Sequence, residues 1–220
     1  MWTGATPRSW RGLAAVLALV AVVCSLTALQ RIGVVPLASL AASPREVADG
    51  RVWLLVSNGA IAAAPLVWSL LSFCILAFLA LALCGGRILW FAAFAGQAFS
   101  TVLGYSVIGL TRFVEPGAFQ RLVSAPDYGV SAISAAWLGA IAAIGWRKRG
   151  ESSGRAAIVL GCVAAACLAW LVRGRGLNVL DTEHVFAFAI GIGAAIEIPR
   201  RAGLEHLENR KRLVDPRAKA

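Results

Sequence analysis

The sequence predicts an all-α membrane protein, built as one bundle of six transmembrane helices. Hydrophobic residues make up 59% of the 220 residues and charged residues only 15%, with a mean hydropathy of +0.76. A soluble domain is nearer half apolar and a quarter charged. Six apolar runs also follow one another along the chain. The net charge of +10 comes from basic residues between and after these runs, which indicates membrane topology and not a nucleic-acid partner.

The first apolar run, residues 13–29, follows a short basic segment, residues 1–12. At about 1.5 Å of rise per helical residue, the run just spans a hydrocarbon core of about 30 Å. A charged start before an apolar run is also typical of a signal peptide. Gln30 and Arg31 follow directly, where a signal peptide would have a small-residue cleavage site. We therefore interpret the run as a retained first span.

The next part of the chain predicts a mixed loop, residues 31–57, and two further spans, residues 61–84 and 88–110. Segment 50–57 of the loop contains Trp53 and is amphipathic, which suits a position in the membrane interface. Pro65 lies near the start of the second span. Gln97 is the one strongly polar residue of the third span, and we expect it to make an interhelical hydrogen bond.

The second half of the chain predicts the fourth, fifth and sixth spans over residues 128–146, 156–172 and 184–198. The sixth is short enough that its helix could begin upstream, at Leu177. A charged tail, residues 199–220, follows and suits contact with anionic lipid at the inner face. The membrane domain, residues 13–198, is thus flanked by the segment 1–12 and this tail.

The distribution of lysine and arginine predicts the orientation of the bundle. With six spans, fourteen basic residues lie on the side of the two termini and seven on the opposite side. Basic residues are enriched in cytoplasmic segments. Both termini are therefore expected in the cytoplasm, and the chain is expected to be a multi-pass protein of a bacterial plasma membrane.

Two polar side chains stand at the outer ends of the fourth and sixth predicted spans. A histidine entering a membrane segment is costly, so His184 indicates a functional site. A serine at the same depth, Ser131, would complete a candidate nucleophile and base. Ser131 lies four residues after Asp127, and His184 three after Asp181. Each is thus about 5–6 Å below its loop acid, and the two are predicted to be level near the outer face.

Small residues on both spans would let these helices approach closely. Ala135 shares a helical face with Ser131, and Ala187 and Gly191 share one with His184. Proton transfer between a serine hydroxyl and an imidazole needs a separation of about 2.6–3.2 Å. We expect the small-residue faces to permit that separation.

These features resemble the rhomboid superfamily of intramembrane serine proteases over essentially the whole six-helix core. That family has Gly-x-Ser-Gly at the top of its fourth helix and a His-x-x-Gly-x-x-x-Gly-like pattern in its sixth. Residues 129–132 read Gly-Val-Ser-Ala, and His184, Ala187 and Gly191 match the sixth-helix spacing, with alanine for the first glycine. The segment around Trp53 is similar to the rhomboid first loop. The chain resembles the divergent actinobacterial rhomboid-like proteins more than the bacterial rhomboid enzymes.

The resemblance implies that His184 takes a proton from Ser131, which attacks a peptide bond in a transmembrane segment of another membrane protein. The turn at Gly129 and the Ser131 backbone amide would help to bind the oxyanion. Rhomboid proteases also carry His-x-x-x-Asn on the second helix. The corresponding region here has neither residue, so Ser69 or Ser72 is left as a donor. Loss of one oxyanion donor costs on the order of 10²–10³ in rate.

Two other functions are compatible with the sequence. A rhomboid pseudoprotease would bind or escort transmembrane clients without cutting them, and the missing second-helix motif favours this alternative. A small transporter is less well supported, because no acidic residue lies mid-span and no paired broken helices are indicated. Asp181 and Glu183 flank His184, but neither is expected to form a triad. We expect no metal and no cofactor, because the five cysteines lack zinc-ligand spacing.

Overall fold

The computed structural model describes residues 7–63, 65–152, 155–156, 158–159 and 179–214. This part of the chain is mostly helical, and its only β-type pairing is an isolated antiparallel bridge between Ala42 and Asp127. In chain order the helices are α1 (Pro7–Arg31), α2 (Pro44–Ala48), α3 (Leu54–Ser57), α4 (Leu66–Cys84), α5 (Gly86–Val114), α6 (Pro116–Leu122), α7 (Ser131–Arg147) and α8 (Val179–Val214). Short 3-10 turns at Leu37–Ser39 and Asn58–Ala60 complete the segment between α1 and α4.

Three of the described helices are long and apolar enough to cross a membrane: α1 from Trp10 onward, α4 and α5. Large apolar side chains are exposed on all three, including Leu17 on α1, Trp68 on α4 and Phe94 on α5. Extended apolar surface of this kind is unusual on a soluble monomer. The helical fold is therefore compatible with a membrane protein, as the composition predicts.

The helices differ from the predicted spans mainly at their ends. Helix α4 begins only at Leu66, because Pro65 takes an extended backbone conformation (φ −76°, ψ 120°) as its N-cap. Helix α5 continues beyond the predicted third span to Val114. Helix α8 begins at Val179 and runs past Pro199 to Val214, so the predicted tail is partly helical. The fifth predicted span, residues 156–172, lies almost entirely outside the described residues.

The core is formed where α4, α5 and α7 meet around a buried tryptophan. The Trp137 ring lies 5.1 Å from the Phe73 ring, and both side chains are fully buried. The Trp137 indole N–H donates to the Leu89 carbonyl oxygen at 2.9 Å, so the polar atom of this core residue is satisfied. Helix α1 packs outside this core against α4, with Val16 and Val23 turned inward.

The segment between α1 and α4 folds over the end of the bundle where α7 begins. Its Ala42 pairs with Asp127 through two backbone hydrogen bonds of 2.9 and 2.7 Å. Around α3, Leu54 is buried while Val52 and Trp53 are exposed. The large side chains exposed on this segment are therefore apolar, and its position in the membrane interface stays a prediction. We call this end of the molecule the outer end.

Candidate active site

The turn before α7 presents Ser131 at the first residue of that helix. Gly129 has a φ of +140°, a backbone conformation that side-chain-bearing residues rarely adopt. Its N–H donates to the Asn58 carbonyl oxygen at 2.8 Å, and the Val130 N–H donates to the Ile61 carbonyl oxygen at 3.0 Å. These bonds fix the turn against the segment between α1 and α4. The Ser131 side chain is exposed, so a reactant could reach its hydroxyl.

His184 lies in the second turn of α8, and its side chain is half-buried. Asp127, just before α7, and Glu183, near the start of α8, both bond to α5, and Arg147 at the end of α7 donates to the Ala195 carbonyl oxygen at 3.1 Å. Helices α7 and α8 therefore run in the same direction. Gly191, seven residues after His184, meets Ala136, five residues after Ser131. These offsets correspond to rises of about 10.5 and 7.5 Å. Ser131 and His184 therefore lie within about one helical turn of the same depth.

Helices α7 and α8 are in backbone contact, and the contacts on α7 are at Ala136 and Gly139, whereas the sequence predicted the face of Ser131 and Ala135. A Cβ atom added at Gly191 would overlap the Ala136 carbonyl, and one added at Gly139 would overlap the Phe188 carbonyl. Ala187 is fully buried. We call this contact the small-residue seam, defined by Ala136, Gly139, Ala187 and Gly191. It brings the helix that carries His184 as close to α7 as backbones allow.

The structure does not bring the predicted oxyanion donors of α4 into a hydrogen-bonded site. The Ser72 hydroxyl is exposed and donates to the Ser69 carbonyl oxygen of its own helix at 3.0 Å. Within the described part of the chain, the Ser131 hydroxyl has no hydrogen-bond partner. It is therefore not hydrogen-bonded to His184. Hydrogen bonds in unliganded active sites are often long and tighten when substrate binds.

A buried network of polar side chains lies beside the candidate pair and was not expected from the sequence. We call it the outer polar cluster; its members are Asn58, Gln97, Ser100, Thr101, Tyr105, Asp127 and Glu183. The Gln97 amide N–H donates to the Asn58 side-chain oxygen at 2.9 Å, which is the hydrogen bond expected for Gln97. Asn58, Asp127 and Glu183 are at most 8% exposed. The cluster joins α5, α8 and the two loops that cover the outer end.

Burial dominates the electrostatics of Asp127. It raises the pKa of the Asp127 carboxyl above its ordinary value, because the charged form loses hydration. Hydrogen bonds from Tyr105, Glu183 and Asn58 and the charge of His184 act in the opposite direction. Asp127 is thus an acid whose ionised form depends on its partners.

One signal in the sequence could have indicated this cluster. Gln97, Ser100, Thr101 and Tyr105 recur at helical spacing on one face of the otherwise apolar α5. From the sequence, Asp127 was identified only as the loop acid above Ser131, and Glu183 was not expected to form a triad with His184. Which acids a polar stripe faces depends on helix packing, and sequence spacing does not give that.

No group of three or more His, Cys, Asp and Glu side chains that could hold a metal ion occurs among the described residues. No protein-family model, no curated protein and no solved structure matches this chain. A function therefore has to be argued from the chemistry of the outer end.

Proposed function

We propose that the chain is a rhomboid-type intramembrane serine endopeptidase that cuts transmembrane segments of other membrane proteins with Ser131 and His184. The observation that carries the proposal is the small-residue seam. It holds α7, with an exposed serine at its first residue, against the helix that presents a histidine at nearly the same depth. Serine and histidine on adjacent helices are the minimum set for acyl transfer.

The proposal includes six spans and a multi-pass position in a bacterial plasma membrane with both termini in the cytoplasm. Helices α1, α4 and α5 would be the first three spans, α7 the fourth and α8 the sixth. The two-to-one distribution of the twenty-one basic residues supports this orientation.

The orientation is tested with single cysteines placed in a cysteine-free chain and a thiol reagent that does not cross membranes. A cysteine in place of Asp49, an exposed loop residue, should react in intact cells. A cysteine in place of Arg149, after the end of α7, should react only in opened cells. The reverse pattern would overturn the orientation and with it the site at the outer face.

In the proposed reaction His184 removes the proton from the Ser131 hydroxyl, and the oxygen attacks a peptide carbonyl. The first N–H groups of a helix have no intrahelical acceptor, so the Ser131 N–H is suited to the developing oxyanion. His184 then protonates the leaving amine, and water hydrolyses the acyl-enzyme. The substrate helix must unwind locally to expose its backbone.

The proposal is tested by labelling the detergent-solubilised chain with a fluorophosphonate. The native chain should be labelled and Ser131→Ala should not. Ser134→Ala is a matched control, because Ser134 lies on the same helix but donates to the Val130 carbonyl oxygen at 2.9 Å. Labelling of Ser131→Ala at the native rate would rule out Ser131 as the nucleophile.

A second candidate is a pseudoprotease that binds transmembrane clients, and the position of Ser72 favours it. That hydroxyl is engaged with its own helix, so Ser72 is not aligned as an oxyanion donor. A native chain that is folded, takes up no fluorophosphonate and still retains a transmembrane peptide would identify this function.

A further inference from the structure

Two buried carboxyl groups, those of Asp127 and Glu183, meet on one face of α5. The Thr101 hydroxyl lies 2.5 Å from Glu183 Oε1, and the Tyr105 hydroxyl donates to Asp127 Oδ2 at 3.2 Å. Thr101 and Tyr105 are one helical turn apart, so α5 holds the two acids side by side. Gly104 between them lets Glu183 approach the helix backbone. Ionisation of one buried carboxyl disfavours ionisation of its neighbour, so we assign the pair one proton and one negative charge.

The hydrogen-bond directions around Asp127 indicate that it holds the charge. The Asn58 side-chain oxygen accepts from the Gln97 amide at 2.9 Å, so the Asn58 amide nitrogen is turned toward Asp127. That nitrogen donates to Asp127 Oδ2 at 3.4 Å, and the Tyr105 hydroxyl donates to the same oxygen. Two neutral donors on one oxygen favour the ionised form of the Asp127 carboxyl.

The surroundings of Glu183 differ, because both of its hydroxyl neighbours have another acceptor. The Thr101 hydroxyl lies 2.8 Å from the Gln97 carbonyl oxygen, and the Ser100 hydroxyl lies 3.4 Å from it. A hydroxyl has one proton to donate. When Thr101 gives its proton to Gln97, the short contact with Glu183 requires Glu183 to be the donor. This arrangement favours a protonated Glu183.

An otherwise unexplained atom fits this assignment. Among the described residues, the side-chain oxygen of Gln97 is buried without a hydrogen-bond partner, and it lies 2.6 Å from where a Cβ atom of Gly59 would be. Exchanging the oxygen and nitrogen positions of the Gln97 amide would give that oxygen a hydrogen-bond donor only if the Asn58 amide were exchanged as well. Asn58 would then present its oxygen to Asp127. The unpaired Gln97 oxygen is thus the consequence of orienting a donor toward a charged Asp127.

We propose that Asp127 is the positioning residue of His184: it keeps the negative charge of the acid pair, while Glu183 stays protonated, and holds the imidazole by electrostatic attraction. Asp127 lies beside Glu183 against α5, and His184 directly follows Glu183 in the chain, so the Asp127 charge is near the imidazole. Two further titratable groups among the described residues interact electrostatically here. Tyr105 of α5 interacts with both acids, and Glu46 of α2 interacts with Tyr105. This inference rests on the proposed function of His184, whose protonated form Asp127 would stabilise.

The test is a pH titration of the histidine ring signals by NMR in the full-length chain in detergent. The chain has two histidines, so His206→Ala assigns the signals of His184. In Asp127→Asn the midpoint of the His184 titration should fall by about one pH unit, because a nearby negative charge is lost. In Glu183→Gln it should stay close to the native midpoint, because glutamine still donates to a charged Asp127. Asp49→Asn, an exposed acid of the same end, is the matched control.

A midpoint that is unchanged in a folded Asp127→Asn chain overturns the proposal. A fall of about one pH unit in Glu183→Gln also overturns it, because the charge would then lie on Glu183. If Asp127→Asn does not fold, the Glu183→Gln titration decides. The titration needs neither substrate nor inhibitor. Coupling between Asp127 and His184 in a chain that takes no fluorophosphonate would therefore refute the proposed function and leave the acid pair standing.

Discussion

Helix α8 is held in place by two different kinds of interaction, one at the small-residue seam and one at the outer polar cluster. At the small-residue seam, backbone atoms of Ala136, Gly139 and Gly191 touch without any polar side chain. One or two turns closer to the outer end, Glu183 of α8 lies outside the seam and forms hydrogen bonds with hydroxyls of α5. The first contact depends on close packing alone, and the second on directed hydrogen bonds.

The difference shows how distance and orientation can be set separately. Close packing is non-directional, so the seam fixes how near the two helices come but defines their rotation less strictly. Hydrogen bonds have preferred distances and angles, so the outer polar cluster fixes the rotation and depth of α8. The side on which His184 faces is therefore decided at the cluster, while its distance from α7 is decided at the seam.

The largest effect is expected from Gly191→Ala, which breaks the seam. Its new methyl group would overlap the Ala136 carbonyl, and a backbone contact cannot move away as a flexible side chain can. We expect a loss of about 3 kcal/mol or more in the free energy of unfolding. Gly193→Ala is the matched control, because its Cβ atom would meet nothing within 4 Å. Denaturant unfolding of both variants in the same detergent measures the difference, and equal stabilities would contradict the close contact.

A smaller effect is expected from Thr101→Val, which breaks the cluster without changing side-chain shape. It removes the hydroxyl closest to the buried Glu183 carboxyl, at a cost of about 1–3 kcal/mol. Thr111→Val loses only a bond to the Ile108 carbonyl oxygen of its own helix and should cost less. The prediction fails if the two valine variants unfold at the same denaturant concentration.

The pH dependence of stability sharpens the same comparison. Burial raises the pKa of Asp127, so its contribution to stability is fully present below its unfolded pKa of about 3.9. That contribution is lost as the pH rises through the folded value. As the pH rises from about 4 through the folded value, the native chain should lose more stability than Asp127→Asn, whose side chain does not ionise. A steeper decline in the variant, measured by thermal unfolding, would contradict the burial of this acid.

The smallest effect is expected from Ser72→Ala. The Ser72 hydroxyl is exposed and bonds only within α4, so stability should change by less than about 0.5 kcal/mol. Fluorophosphonate labelling of Ser131 should also proceed at the native rate. A loss of labelling in a folded Ser72→Ala chain would show that this hydroxyl turns toward the oxyanion after all.

The sequence predicted the helical class and, on α8, the small residue Gly191 of the seam. These follow from local composition and helical spacing, which the chain carries without reference to its partners. The extension of α5 to Val114 and of α8 past Pro199 was not predicted. An apolar run shows which residues prefer lipid, but it does not show where the helical hydrogen bonding of the backbone ends.

For the site, the sequence alone identified Ser131 and His184 as the candidate nucleophile and base. It also placed each of them near the start of its helix. Only the tertiary structure decided that Asp127 and Glu183 are buried together and face the polar stripe of α5. The reason is that a carboxyl group near a helix end is solvated or buried according to what packs over it. Here that cover is the loop carrying Asn58, which lies far from both acids in sequence.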